Sequence, residues 1–408
     1  MQLTAEDEEF RGRIRGWLED HLSGQFAGLR GQCGPGREHE HFEQRLAWNR
    51  QLAAAGWTCI GWPAQYGGQE ATLARQVIFH EEYARSGAPA RVGHMGEELL
   101  GPTLIAFGTP AQKDRFLGPI AAVRELWCQG YSEPGAGSDL ASLSTSATLD
   151  GDHWVITGQK VWTSLATVAD WCFLLARTEP GSRRSRGLSY LLVPMDQPGI
   201  TVRPIRQLTG TAEFNEVFFD GARTQRDLVV GDEGGGWRVA MATLAIERGV
   251  STLGQQVGYE RELDALIDVA RRNGAARDPV VRDKLARAWI GLQVMREQVL
   301  CMLARADDNG TDNNRAGHTG EQAAGPVSSA DASVVKLLWS RWHRDLGELA
   351  MEVLGPASML AQAPPYDLDD WQRLHLFSRA DTIYGGSQEI QLGIIADRAL
   401  GLPRQARS

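Results

Sequence analysis

"SATLDGDHWVITGQKVWTS", Ser146 to Ser164, decides how this chain is organised. Two extended pieces rich in Val, Ile, Thr and Trp flank Asp150-Gly151, a hairpin-type turn. The same texture runs from about Leu126 to Asp232. It continues through "WCFLLART" (171–178), "GLSYLLVPM" (187–195), "ITVRPI" (200–205) and "NEVFFDGART" (215–224). Short β-rich runs broken by turn residues read as an antiparallel β domain.

On either side the period changes to that of helices. In "AEDEEFRGRIRGWLEDHL" (5–22), Phe10, Ile14, Trp17 and Leu18 recur at helical spacing among charges. Further helices are predicted over 41–56, 71–87, 96–108 and 109–123, the last with Thr109 as N-cap and Pro110 at its first position. After "GDEGGGW" (231–237) the helical period returns and holds to the end. The exception is Arg305 to Ser333, polar and rich in turn formers, which reads as a long loop between two helices. The order predicts an α+β chain in three parts. These are an N-terminal α-helical domain (1–124), a central antiparallel β domain (125–232) and a C-terminal α-helical bundle (233–408).

Composition narrows the partners. A net charge of −9 argues against nucleic acid, whose phosphates need a basic face. There is no uncharged apolar run of about 18 residues, and the N-terminal residues carry neither a basic nor an apolar signal region. The five scattered cysteines contain no CxxC pair and read as reduced thiols of a cytoplasmic protein.

Familiar catalytic motifs are missing. Gly135-Ala136-Gly137 has Leu140 where a dinucleotide fingerprint needs its third glycine, and there is no P-loop, GxSxG elbow, HExxH or zinc spacing. Of His39 and His41 in "EHEH", an exposed charged turn is the simpler reading. Two other places carry chemistry. In "QGYSEPGAGSD" (129–139), glycines let backbone amides approach a ligand, beside Gln129, Tyr131, Ser132 and Ser138. On spacing alone, a structural turn explains that loop equally well. "KVWTS" follows, placing Trp162 before the hydroxyls of Thr163 and Ser164, which suits a flat heteroaromatic ligand.

The second place is the stretch that begins at Trp237. Its apolar stripe runs through Ala240, Leu244, Val250, Leu253 and Val257, and Glu247 projects from that same stripe. A carboxylate there is paired, neutralised or used. In an apolar pocket its pKa rises, which suits proton abstraction, while a buried ion pair with a distant arginine is the competing explanation. Arg248 falls on a neighbouring face, where it could serve a subunit contact.

Taken together, "EPGAGSD", "WTS", "FFDGAR", "GGGW" and "IYGGSQEIQLGIIADRALGLP" resemble the acyl-CoA dehydrogenase family over nearly the full length. The resemblance implies FAD held at a dimer interface, usually within a tetramer. It also implies abstraction of an α-proton from an acyl thioester, hydride transfer to flavin N5 and a trans-2-enoyl thioester product. Gln129, Tyr131, Ser132, Trp162 and Ser164 would line the flavin, and Gly137 and Ser138 would lie near it and the pantetheine. Arg271, Glu352 and Gly355 would meet FAD from a neighbouring subunit, and Ser387 and Glu389 would flank its phosphates and adenosine. Ser138, Arg248 and Tyr384 are the candidate substrate contacts.

The chain departs from the family pattern in three places. "RRNGAARDP" replaces the usual aromatic-glycine sequence after Arg271, and Leu392 stands where an arginine is common. Many members carry the base as the Glu of a Tyr-Glu-Gly turn; here the turn is Tyr384-Gly385-Gly386. A minority place it on the preceding helix before an arginine, and Glu247-Arg248 matches that arrangement. Gly385 would still offer a backbone N–H to the thioester carbonyl. The implied partners are an acyl-CoA or acyl-carrier-protein thioester, an electron-transfer flavoprotein or similar acceptor, and a second subunit, identical or not. Two other classes stay open, a non-catalytic subunit of a mixed dehydrogenase and a same-fold flavin monooxygenase or oxidase.

Overall fold

The computed structural model describes residues 3–32, 36–37, 39–246, 251–316, 329–362 and 367–403. Five helices come first: α1 (Ala5–His21), α2 (Phe42–Ala54), α3 (Leu73–Ser86), α4 (Gly101–Phe107) and α5 (Pro110–Ala121). Thr4 caps α1 and Thr109 caps α5, each through a reciprocal capping box that satisfies amides the helix leaves open. The α1 residues Phe10, Ile14 and Leu18 are buried with Trp48 and Phe79, as their spacing predicts. A π-type turn, Met95–Leu100, precedes α4 where the sequence suggested plain helix.

Seven strands follow: β1 (Trp127–Gly130), β2 (Ser146–Asp150), β3 (His153–Ser164), β4 (Trp171–Arg177), β5 (Leu188–Pro194), β6 (Ile200–Ile205) and β7 (Phe214–Gln225). They form one sheet in the order β1-β4-β2-β3-β7-β6, with β5 on the other side of β4. Pairing is antiparallel except where β4 meets β1 and β2. The β2–β3 hairpin closes from Asp150 to His153, with Gly151 at φ +60. Phe173 and Leu175 of β4 face the helices, whereas Cys172, Leu174 and Ala176 face Ile156, Val217 and Phe219 of the same curled sheet. Burial on both faces explains why β4 and β5 read as continuous apolar runs.

The C-terminal part contains α6 (Gly236–Ile246), α7 (Ser251–Asn273), α8 (Pro279–Ala316), α9 (Ser329–Leu354), α10 (Asp370–Asp381) and α11 (Gln388–Ile394). Part of the stretch Arg305 to Ser333, expected as a loop, is helix: α8 runs on to Ala316 and α9 starts at Ser329. Extending a formed helix adds one hydrogen bond per residue fixed, so a polar stretch can follow a well-packed one. Residues 317–328 lie outside the described residues. Helix α6 packs onto β5 and α4 through Val239 and Ala240. There Thr243 Oγ1 lies 2.9 Å from Thr103 Oγ1 on α4. Among the described residues, no helix is long and apolar enough to cross a membrane.

Candidate active site

The glycine loop is held from beneath by an ion pair. Lys160, fully buried on β3, donates to Glu133 Oε1 at 2.9 Å and to the Tyr131 carbonyl at 3.0 Å. Glu133 also accepts from the amides of Thr145 (2.8 Å) and Ser144 (2.7 Å). Burial alone would raise the Glu133 pKa, but Lys160 and these donors outweigh it and pull it down to about 2. With Glu133 so anchored, Gly135, Gly137 and Ser138 stand exposed, and nothing lies within 4 Å of where a Cβ would sit on either glycine.

Ser132 is joined to the neighbouring strand, since its carbonyl accepts from Val161 N at 2.9 Å. Just beyond, β3 bulges: Val161 and Trp162 together oppose Glu216, between the pairs Lys160–Val217 and Thr163–Asn215. Trp162 has φ +61, an outlier for a bulky residue, and its indole is 56% exposed. Backbone strain of this kind costs about 1–3 kcal/mol and concentrates at functional sites. The structure thus joins Tyr131 and Ser132 to the β3 segment that carries Trp162 and Ser164, with Gln129 on β1 and Gly137 and Ser138 on the loop that Glu133 anchors.

The Tyr384–Gly386 turn joins α10 to α11. Gly385 and Gly386 have φ +63 and +93, a conformation that favours glycine at both positions. Buried Gln391 fixes the turn by donating from Nε2 to the carbonyls of Gly385 (3.0 Å) and Gly386 (3.1 Å). Tyr384 donates from its hydroxyl to Asp381 Oδ1 at 2.6 Å, and Lys336 Nζ lies 4.4 Å from its ring centroid. Ser387 sits at the N-cap position of α11 without a side-chain capping bond, and Glu389 is exposed in its first turn.

Arg271, Glu352 and Gly355 are elsewhere. Arg271 pairs with Asp268 (3.2 Å), Glu352 pairs with Lys284 (2.5 Å), and Gly355 (φ +60) follows the end of α9. Asn273 Nδ2 donates to the Val353 carbonyl at 2.8 Å, so the ends of α7 and α9 meet. Lys336, which touches the turn, is roughly 25 Å back along α9 at 1.5 Å per residue. One chain therefore does not bring these three residues to its own turn. Glu247 and Arg248 lie outside the described residues, between the described ends of α6 and α7.

The residues present fit a flavin nucleotide. Gln129 Nε2, Thr163 Oγ1, Asn215 Oδ1, Gln388 Nε2 and Gln391 Oε1 are buried and find no partner among the described residues. Buried polar atoms left this way call for a ligand or water. Thr163 follows the exposed indole and pairs with Asn215 across the sheet, while Gln388 and Gln391 lie on α11 just after the double-glycine turn. Sequence reading missed Lys160, Gln391, Asp381 and His343. A lysine inside an alternating strand was the one local signal; the others take partners distant in sequence.

Comparison with known proteins agrees with this layout. Family models for the acyl-CoA dehydrogenase N-terminal, middle and C-terminal domains match residues 4–124, 128–222 and 234–400. The chain belongs to the acyl-CoA dehydrogenase family, a family of flavoproteins, and is an oxidoreductase of that type. It is 62% identical over 402 residues to the acyl-CoA dehydrogenase IpdE1 of Mycobacterium tuberculosis, covering 98% of this chain and 99% of the relative. The Tcur3481-Tcur3483 steroid ACAD shares 29% identity over 99% of each chain, with a TM-score of 0.82. The ChsE4-ChsE5 complex from Mycobacterium tuberculosis shares 31% identity over 99% of this chain and 100% of the other, with a TM-score of 0.77.

Proposed function

We propose that this acyl-CoA dehydrogenase binds FAD and forms a trans-2-enoyl thioester from an acyl-CoA, with Glu247 taking the α-proton. The observation that carries the reading is the Gly385–Gly386 turn. It has positive φ at both glycines and is latched by Gln391, yet the glycines offer no side chain that could act as base. Asp381, beside the turn, is buried and engaged by Tyr384 and His343. Glu247 follows directly in sequence on α6, which is fixed against α4 and β5.

In this reading Gln129, Tyr131, Ser132, Trp162 and Ser164 hold the isoalloxazine, and the amides around Gly137 and Ser138 meet its polar edge and the pantetheine. FAD, when bound, supplies the hydride acceptor for the β-carbon. The protein does the rest. The Gly385 N–H faces the thioester oxygen and stabilises the negative charge that develops there, so the α-proton becomes acidic enough to leave. Glu247 receives that proton, while Arg248 and Tyr384 border the acyl chain. Arg271, Glu352 and Gly355 meet the FAD of a neighbouring subunit, in keeping with their distance from this chain's own turn. Ser387 and Glu389 border the phosphates and adenosine.

Among acyl groups we favour a steroid-derived one, on the likeness to the steroid ACAD. An acyl-carrier-protein thioester is the alternative carrier, and an electron-transfer flavoprotein the class of acceptor. Cytoplasmic residence suits the free thiols of Cys59, Cys128, Cys172 and Cys301. The test is anaerobic titration of the flavin absorbance with acyl-CoAs and acyl-carrier-protein thioesters. Bleaching by acyl-CoAs supports the reading. No bleaching by any thioester, with FAD bound, sinks it.

A second reading, one half of a mixed dehydrogenase, has its own support: both solved relatives above carry two-component titles, and Leu392 is exposed on α11 where the family commonly has arginine. Purification of this chain alone without flavin would favour it.

A further inference from the structure

Beneath the Tyr384 turn runs a chain of charge-assisted hydrogen bonds whose middle members, Asp381 and His343, are buried. Tyr384 donates to Asp381 Oδ1 (2.6 Å), and Asp381 Oδ2 lies 2.5 Å from His343 Nδ1. The other ring nitrogen, Nε2, lies 3.0 Å from Glu262 Oε2 on α7. Asp381 and His343 are each 1% exposed. The groups facing this imidazole can be counted by element. Glu262 and Tyr259 come from α7, the Tyr259 ring tilted against the imidazole at 4.5 Å between centroids. Asp381 comes from α10 and Tyr384 from the turn. Lys336 of α9 donates to the Asp381 carbonyl at 2.8 Å. Among the described residues, Asp381 and Glu262 are the carboxylates that meet the ring nitrogens.

A carboxylate at each ring nitrogen means that only the imidazolium, with two N–H groups, satisfies both. Neutral imidazole has one N–H, so one carboxylate loses its donor inside the protein. Asp381 is also the anchor for the Tyr384 hydroxyl, next to the backbone N–H of Gly385. We propose that His343 and Asp381 are positioning residues for the turn: the charged imidazole locks Asp381, Asp381 locks Tyr384, and turnover loses its geometry when His343 loses its proton.

The protonation of His343 agrees in direction. Burial alone would lower its pKa, but the hydrogen bonds and charges of Asp381 and Glu262 outweigh it and raise the value to about 9. With the folded pKa above the ordinary 6.5, the stabilisation is complete below that ordinary value and is lost as pH rises through about 9.

The inference rests on the reading that the turn polarises the substrate carbonyl, and the experiment separates the two. The holoenzyme's kcat and KM are measured against pH for wild type, Glu262→Gln and Tyr384→Phe, with the His343 titration followed by NMR on labelled histidine. The wild type should lose kcat on the alkaline side in step with His343. Glu262→Gln removes one of the two carboxylates, so both the titration and the alkaline limb should move down by about one pH unit. KM should change less than about two-fold. Tyr384→Phe should lower kcat about ten-fold at neutral pH and uncouple the limb from the His343 titration. A limb that stays in place while the His343 titration moves would overturn the proposal, as would a Tyr384→Phe profile like that of wild type. Absence of dehydrogenation in wild type would instead overturn the reading beneath it.

Discussion

Lys160 Nζ lies 2.9 Å from Glu133 Oε1, and both side chains are buried beneath the glycine loop. Removing one partner leaves the other charge in the interior, which costs about 3–5 kcal/mol. Lys160→Met is therefore expected to lower the urea midpoint sharply and to loosen the segment from Glu133 to Ser138. Denaturation monitored with the flavin-binding isotherm checks both.

The same pair sets an acid limit. Glu133 is depressed to about 2, so its contribution is present above the ordinary carboxylate value of 4.5 and is lost as pH falls from there through the folded pKa. Wild type should lose stability across that window, and Glu133→Gln should lose much of that slope along with some stability at neutral pH. Equal slopes for the two proteins would assign acid sensitivity to other carboxylates.

Trp162 holds φ +61 with more than half its surface exposed. Substituting Trp162→Gly relieves the backbone strain but removes the indole face. Stability of the apoprotein should hold or rise slightly while the FAD dissociation constant rises at least about ten-fold. Thermal melts without flavin and fluorescence titration with FAD distinguish this from a residue that serves packing alone, whose loss would lower both.

Much of the fold was legible because its periodicities are strong. Phe10, Ile14 and Leu18 lie in the core as spaced, Thr109 caps α5, and the hairpin falls at Asp150 and Gly151. The parallel pairing of β1 with β4 was not legible, because strand partners far apart in sequence leave no local trace. The continuation of α8 to Ala316 was missed for a related reason: composition describes a segment in isolation, and the helix before it supplies the nucleus. At the site, the glycine loop, Trp162 and the double-glycine turn stood out by residue type. The side chains that hold them, Lys160, Gln391, Asp381 and His343, look ordinary until the chain folds.

Gly385 at φ +63 should tolerate alanine poorly but without disaster. An added Cβ would meet Lys336 Cε at 3.6 Å, an ordinary contact, so the cost is backbone strain of about 1 kcal/mol. Gly385→Ala is expected to lower Tm by a few degrees and kcat by less than about ten-fold, measured by calorimetry and steady-state turnover. A loss of a thousand-fold would mean that the side-chain position itself takes part in the chemistry.

Gln391 donates twice to the turn from a buried position. Gln391→Leu leaves two carbonyls without their donor, at about 1–3 kcal/mol. Turnover should fall about ten-fold while FAD stays bound, as read from kcat and the flavin-to-protein ratio. Unchanged kcat would show that turn rigidity is not limiting.

The central claim concerns Glu247, and the rate of anaerobic flavin reduction by a good acyl-CoA substrate tests it most directly. Glu247→Gln keeps the shape of the side chain and removes its capacity to take a proton. With FAD and acyl-CoA still bound, the reductive rate should fall by at least about 10²–10⁴-fold, the range for loss of a general base. Bleaching at the wild-type rate would contradict the assignment and place the base elsewhere.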